Sequence, residues 1–367
     1  MKKNRLHVLA WALTLGFLWL PLFSWGYHQM PITFSGYTRD EPLTNFPALV
    51  TFTNYTGFLS SSGYDLRFWT NSAASGTPLN YEISAWTNSG TSFVWVQVPE
   101  LTNSMTIYAT WGNPAYNSQA AYTTNGAVWT NMYAAVWHMG QATNPVDSCR
   151  FPNDHSVWSG QYGDLTNTFL GYGLSYTNRA LSPILNSSDL ATTNFTCSYW
   201  IFDRSQGGNT PSGTGYGTLF GDLYNGGSSP GLFRHRGTDY FTLRNSGAYL
   251  LNAPIGFSAP DYNTWHHYAW SGSFGSPWHP YVITDGSTLT TASSGMVAPI
   301  APYYLVGCGY DNLRGIDGIL AEMRMSTNIM STNWVYAEYL NMASNTVFNL
   351  YGTVTTVDRN GTQFFFH

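Results

Sequence analysis

Charge is scarce in this 367-residue chain: Asp, Glu, Lys and Arg together make up 9% of it, against about a quarter in an ordinary soluble domain. Lysine is scarcer still, with Lys2 and Lys3 and none beyond them. Past residue 26, eleven arginines face nineteen acids, a balance of −8. A mildly acidic chain with scattered arginines has no electrostatic footprint for nucleic acid, and an anionic membrane surface is disfavoured for the same reason. Cysteine is limited to Cys149, Cys197 and Cys308. Their wide spacing excludes a zinc ribbon, and their odd number leaves at least one thiol free. They read as small buried hydrophobes. Paired acids are missing too. Glycoside cleavage needs two carboxylates about 5–10 Å apart, hence acids at i, i+2 or i+4 along one strand. The nearest pair, Asp317 and Glu322, is offset by five and faces opposite sides of a regular strand. The expectation is binding without turnover.

What is present is aromatic and strand-forming. Aromatic residues reach 17%, too many for a disordered polar tract, and the polar surface must come from Asn, Thr, Ser, Gly and Tyr. Lys2, Lys3 and Arg5 precede an apolar run from Leu6 to Phe23, and Ser24-Trp25-Gly26 offers small residues for cleavage after Gly26. This is the form of an export signal over residues 1–26, or of an uncleaved anchor of near-minimal length. The mature chain is expected outside the cytoplasm: cell-surface, periplasmic or extracellular.

Beyond it, period-two alternation dominates. Ile32 and Phe34; Ala48, Val50 and Phe52; Val94, Val96 and Val98 opposite Phe93 and Trp95; and Met105, Ile107 and Ala109 all alternate with their neighbours. With Asn-Ser-Gly and Gly-Asn-Pro punctuation this predicts an all-β chain of antiparallel sandwiches. One segment reads as helical, with Ser331 or Thr332 as N-cap and Val335, Tyr339 and Met342 on one face. A polar stretch from Asn117 to Gly126 suggests a first domain over 27–130 and a second over 131–343. Residues 344–367 read as a returning strand or a truncated further module.

Six motifs within residues 30–140 carry a resemblance: Asn45-Phe-Pro-Ala-Leu-Val50, Tyr64-Asp-Leu-Arg-Phe68, Pro78-Leu-Asn-Tyr-Glu-Ile83, Val94-Trp-Val-Gln-Val-Pro99, Ile107-Tyr-Ala-Thr-Trp-Gly-Asn-Pro114 and Val136-Trp-His138. They resemble a bacterial surface-protein domain of unknown function that also accompanies proton-channel subunits of the MotA/TolQ/ExbB type. The second domain resembles the laminin-G-like branch of the concanavalin A-like lectin/glucanase jelly rolls. The carriers are Asp147-Ser148, Phe195-Thr-Cys-Ser-Tyr-Trp200, Thr264-Trp-His-His-Tyr268, Asp285-Gly286, Gly318-Ile-Leu-Ala-Glu-Met-Arg-Met-Ser326 and Trp334-Val-Tyr-Ala-Glu-Tyr339. Ala321 stands where the resemblance expects Asp, and Cys149-Arg-Phe-Pro-Asn-Asp-His155 replaces the usual Asn/Gly-rich stretch.

The resemblance implies a glycan-binding or adhesive surface protein whose partners are polysaccharides, glycoconjugates or other envelope proteins. It also implies a calcium ion, with Asp147 and Glu322 as candidate ligands, hard oxygen donors of the kind that ion takes. The alternative for Glu322 is a buried acid paired to Arg324 or the backbone. A pyranose needs aromatic platforms with amide or hydroxyl partners nearby. Trp270, Trp278 and Tyr281 are the expected platform, with Tyr240 in a similar polar context, and Arg234 and Arg236 could meet an acidic sugar. Trp200 and Trp265 match framework strands and are expected to be buried. His138, His266 and His267 read as hydrogen-bonded framework histidines. A polysaccharide hydrolase and a purely structural envelope module are the alternative functions.

Overall fold

A computed structural model describes residues 26–129, 132–142, 146–149, 163–177, 185–186, 194–204, 216–222, 232–235, 240–245, 248–254, 262–273, 275–278, 281–291, 294–296, 303–306, 317–358 and 363–364. The strands between 216 and 254, and those at 275–278, 294–296 and 303–306, are described by their backbone alone. The N-terminal basic and apolar run lies outside the described residues. No helix among the described residues is long and apolar enough to cross a membrane.

The chain is all-β, and every strand pairing among the described residues is antiparallel. The N-terminal third supplies β1 (Tyr27–Thr33), β2 (Leu43–Thr53), β3 (Arg67–Trp69), β4 (Tyr81–Ala85), β5 (Thr91–Leu101) and β6 (Thr106–Trp111). Next come β7 (Tyr133–Trp137), β8 (Asp164–Thr168), β9 (Gly171–Thr177), β10 (Leu185–Asn186) and β11 (Asn194–Asp203). They are followed by β12 (Tyr216–Asp222), β13 (Leu232–His235), β14 (Tyr240–Asn245), β15 (Ala248–Pro254) and β16 (Trp265–Ser273). Then follow β17 (Gly275–Trp278), β18 (Tyr281–Thr284), β19 (Ser287–Thr291), β20 (Ser294–Met296), β21 (Tyr303–Val306) and β22 (Asp317–Ser326). Helices α1 (Thr332–Ala343) and α2 (Asn345–Phe348) lead to β23 (Leu350–Tyr351), β24 (Thr355–Val357) and β25 (Gln363–Phe364).

The first unit packs the sheet β25-β24-β1-β6-β3 against the sheet β2-β5-β4. Its core holds the alternating residues: Ile32 and Phe34 from β1 and its exit, Ala48, Val50 and Phe52 from β2, Val94, Val96 and Val98 from β5, Ile107 and Ala109 from β6. The last strands return to this unit: Ile32 pairs Tyr351 and Tyr27 pairs Val357. The second unit carries the larger sheet β19-β18-β16-β11-β22-β9-β8, with β7 also on β22, and a further sheet β10-β21-β12-β13-β14-β15.

The outer face of β2 and β5 is not wet. Leu49, Phe93 and Trp95, which alternate with the core residues of the first unit, join Val128, Trp129, Val136, Trp200 and Met342 in a second buried cluster between the units. Apolar residues on both faces of a strand mark a sheet covered on both sides. The helix α1 seals one end of that junction. Its N-cap is Ser331, whose Oγ accepts from the Trp334 amide at 3.1 Å, and Trp334 and Val335 pack into the first core while Met342 reaches the junction.

Candidate functional site

Two hairpins face each other across the junction. On the first unit, the β4–β5 turn is closed by Ser92, whose Oγ accepts from the Thr87 amide at 2.9 Å and donates to the Thr87 carbonyl at 3.0 Å. Trp86 leads into this turn. Its ring is edge-packed on Phe58 at 4.8 Å, and Gly63, at φ +70°, lies so close that a Cβ there would sit 2.6 Å from the indole. One side of Trp86 is thereby fixed, and the ring remains partly exposed.

On the second unit, Thr168 of β8 pairs with Gly171 of β9, so Phe169 and Leu170 form a two-residue turn. Leu170 is buried, whereas Phe169 is 40% and Tyr172 38% exposed. Phe169 is nonetheless held in place, edge-on to Trp200 at 5.0 Å and Trp265 at 5.3 Å. Gly171 sits at φ +98°, a conformation L side chains rarely adopt. A Cβ there would lie 3.3 Å from both Ala85 Cβ and Phe93 Cδ2, so glycine lets the hairpin dock on β4 and β5.

Between the hairpins runs a groove of about 550 Å³, walled by Trp86, Phe169 and Tyr172 and lined with Thr51, Thr87, Thr91, Asn167 and Thr168. Its size is within the roughly 300–1,000 Å³ of small-ligand sites. On the other side of Trp86 lies a second cleft of about 530 Å³, with Tyr64, Glu82, Gln119, Asn125, Asp147 and Ser148 in its lining. Trp86 is the shared wall.

Beneath these clefts the junction is locked by buried charge. His138 Nδ1 lies 2.7 Å from Glu322 Oε1, and its Nε2 is 3.6 Å from Glu82 Oε1. Arg324 reaches Glu322 at 3.3 Å and Glu338 of α1 at 3.7 Å, and its guanidinium lies 4.3 Å over the Trp95 ring. Glu338 also accepts from Ser198 Oγ at 2.5 Å and faces His267 Nε2 at 3.4 Å. Burial alone would lower the His138 pKa, but the Glu322 and Glu82 carboxylates hold it up at about 10. Burial would likewise raise Glu338, yet Arg324 and His267 keep it below the usual carboxylate range.

This network does not make a general base. His138 is protonated at neutral pH, and Glu82 accepts from Ser148 Oγ and from Trp129 Nε1, both at 2.6 Å, one on each oxygen. Nor does the pair implied for calcium fit that ion. Asp147 Oδ1 accepts from the Val136 and Cys149 amides at 2.9 and 3.0 Å, and Glu322 faces an imidazolium and a guanidinium, whereas calcium takes six to eight oxygens. No cluster of three acidic, histidine or cysteine side chains suited to a metal occurs among the described residues.

The expected aromatic platform is corrected. Trp270 is 4% exposed and Tyr281 8%. Trp270 lies on the central strand β16 between Cys197 and Val282 in register, and the Tyr281 hydroxyl donates to the Met330 carbonyl. Neither can stack on a sugar. Trp278, Tyr240 and Arg234 lie on β17, β14 and β13, but their side chains, like Arg236 altogether, fall outside the described residues. Trp200 is buried as expected, whereas Trp265 is only partly so. The regular strand assumed for Glu322 is corrected too: β22 bulges against β11 between Ser198 and Trp200, and Glu322 adopts φ +48°. The bulge re-aims the carboxylate at His138.

Trp86, Phe169 and Tyr172 escaped the sequence reading. The available signal was Phe169 in a two-residue turn flanked by the polar alternation of Asp164, Thr166 and Thr168.

A scan against protein-family models finds no match, and no curated protein matches the chain. Solved structures give partial likenesses. The binding domain of botulinum neurotoxin DC in complex with SialylT aligns at TM-score 0.43 and 12% identity, covering 57% of this chain and 50% of that one. Domain 4 of AbnA, a GH43 extracellular arabinanase from Geobacillus stearothermophilus, in complex with arabinotriose, aligns at TM-score 0.42 and 14% identity, covering 56% and 96%. A structure bearing on cell entry of botulinum neurotoxin type C, dependent upon interaction with two ganglioside molecules, aligns at TM-score 0.42 and 12% identity, covering 57% and 51%. The matched region thus spans about half the length of the neurotoxin chains. Likeness at this level says nothing of this chain's own ligand.

Proposed function

We propose that the protein is an exported glycan-binding module that holds its ligand in the groove between the two hairpins and does not turn it over. The observation that carries the reading is the groove itself. It has three partly exposed aromatic side chains on opposed walls, two of them immobilised by edge packing, with four threonines and an asparagine between them. An aromatic face covers the C–H side of a pyranose while hydroxyl and amide groups meet its edge, which suits a sugar better than an apolar peptide. Among the described residues that line the clefts, Glu82 is engaged on both oxygens, which supports binding without hydrolysis. The N-terminal basic and apolar segment supports export, and a cell-surface adhesive role follows if many copies add their individually weak contacts.

The test is a glycan array probed with residues 27–367 and with a Phe169→Ala variant. Loss of one stacking partner corresponds to about 1.4 kcal/mol, or tenfold in affinity. The variant should keep the wild-type melting temperature within a few degrees, because Phe169 lies at an exposed turn. Incubation with bound polysaccharides should release no reducing ends. Sustained release abolished by a single acid substitution would show that the protein is a hydrolase.

A further inference from the structure

We infer that the groove selects uncharged oligosaccharides and turns anionic ones away, a specificity that rests on the glycan reading above. Among the described residues, no Lys, Arg or His lines either cleft flanking Trp86. The groove presents the hydroxyls of Thr87 and Thr91 and the amide of Asn167, groups matched to neutral sugar hydroxyls, while the Thr51 and Thr168 hydroxyls donate to Asn345 Oδ1 and the Tyr172 carbonyl.

A sugar carboxylate or sulfate brought against these walls would leave water without a charged donor to replace it, which is costly. Recognition of such groups runs through guanidinium forks or other charge-assisted donors. The cations of the junction cannot serve. The Arg324 side chain is 2% exposed and committed to Glu322 and Glu338, and the His138 side chain is 11% exposed and committed to Glu322.

The repulsive side of the selection lies past Trp86. A chain long enough to cross the indole enters the second cleft, where Glu82 and Asp147 are in the lining. There an anionic sugar meets like charge in addition to its own lost hydration. Specificity of this kind comes from what the site refuses as well as from what it contacts.

The experiment uses matched pairs of oligosaccharides that differ by one charged group. Suitable pairs are lacto-N-neotetraose with its sialylated form, xylohexaose with its glucuronic-acid-substituted form, and an agaro-oligosaccharide with its sulfated form. They are titrated against residues 27–367 after an array has ranked the neutral members. The neutral member of the best pair should bind at least tenfold tighter than its anionic counterpart. Trp86→Ala and Phe169→Ala should each weaken it about tenfold. Asn167→Arg places a cation at an exposed groove position without disturbing the core, and should narrow the neutral-to-anionic gap by raising affinity for the anionic member. Equal or tighter binding of the anionic member, still lost in both aromatic variants, would overturn the selectivity and leave the glycan reading standing. If no glycan binds, or if binding is indifferent to both aromatic variants, the glycan reading falls and the selectivity with it.

Discussion

At the scale of single residues, the junction depends on two backbone positions that side chains normally avoid. Glu322 is held at φ +48° within a strand, and such outliers persist where surrounding contacts over-determine them. Here those contacts are His138 and Arg324. Gly171 is the other, at φ +98° with its Cα face against Ala85 and Phe93. Gly171→Ala should cost about 1–3 kcal/mol, from the left-handed backbone and the tight contact together. A urea midpoint that falls at unchanged slope would show it. The same variant should weaken glycan binding, since the Phe169 turn moves with its hairpin; full affinity at reduced stability would separate the hairpin from the site. Adding calcium or a chelator should leave the melting temperature unchanged, because the oxygens of Glu322 face nitrogen donors. A rise of several degrees with calcium would return Asp147 and Glu322 to the role their motifs imply. The buried pairing of Glu322 with Arg324 was one of the two readings the sequence allowed, but the positive φ of Glu322 and of Gly171 was not legible there. The Gly318-to-Ser326 motif reads as plain alternation, and a bulge leaves no compositional mark there. Trp270 reads as a platform because Ser271 and Gly272 follow it, yet β16 is paired on both sides, to β11 and β18.

At the scale of elements, β2 is an edge strand of its sheet, and an uncovered edge invites pairing with other chains. Three asparagines spaced four apart, Asn341, Asn345 and Asn349, cover it. All three donate to the Leu49 carbonyl, at 3.1, 2.9 and 2.8 Å, and Asn341 Oδ1 accepts from the Leu49 amide at 2.5 Å. The spacing puts them on one side of the α1–α2 segment, where their amides replace a neighbouring strand. Asn341→Ala leaves the buried Leu49 amide without its acceptor and should cost about 1–3 kcal/mol, read as a lower thermal midpoint. Asn341→Asp would keep the acceptor but add a buried charge, and should cost more. The C-terminal strands cover β1 in the same way. A chain ending at Asn349 should melt earlier and scatter light at concentrations where the full chain does not. Equal melting and clear solutions would show that β23 and β24 are dispensable.

The strands and the N-cap at Ser331 were legible because period-two alternation and capping are local. The double burial of β5 was half legible: Phe93 and Trp95 are as apolar as Val94 and Val96, a pattern that points to cover on both faces without naming what supplies it.

At the scale of the whole molecule, the two units are joined through buried acidic and basic side chains, of which His138 and Glu338 are shifted by their partners. Glu82 comes from the first unit, His138, His267, Glu322 and Arg324 from the second, and Glu338 from the helix between them. The folded-state pKa of His138 lies at about 10, above the ordinary 6.5. The stabilisation it provides is therefore complete below pH 6.5 and is lost as the pH rises through 10. Glu338 is held below its ordinary 4.5, so its contribution is complete above that value and is lost as the pH falls below it. The melting temperature should accordingly decline on the alkaline side from pH 7 to 10 and on the acid side below about pH 4.5. His138→Gln removes the titrating cation while keeping a hydrogen-bond donor. At pH 6 the variant should be less stable by about 3 kcal/mol, the order expected when one partner of a buried pair is removed. Its stability should then vary little between pH 7 and 10, where the wild type falls. Because both clefts are framed by the elements this network ties together, wild-type glycan affinity should decline over the same alkaline range and the variant's should not. A wild-type melting temperature that is flat from pH 6.5 to 10 would show that His138 is neutral in the folded chain and that apolar packing alone holds the junction.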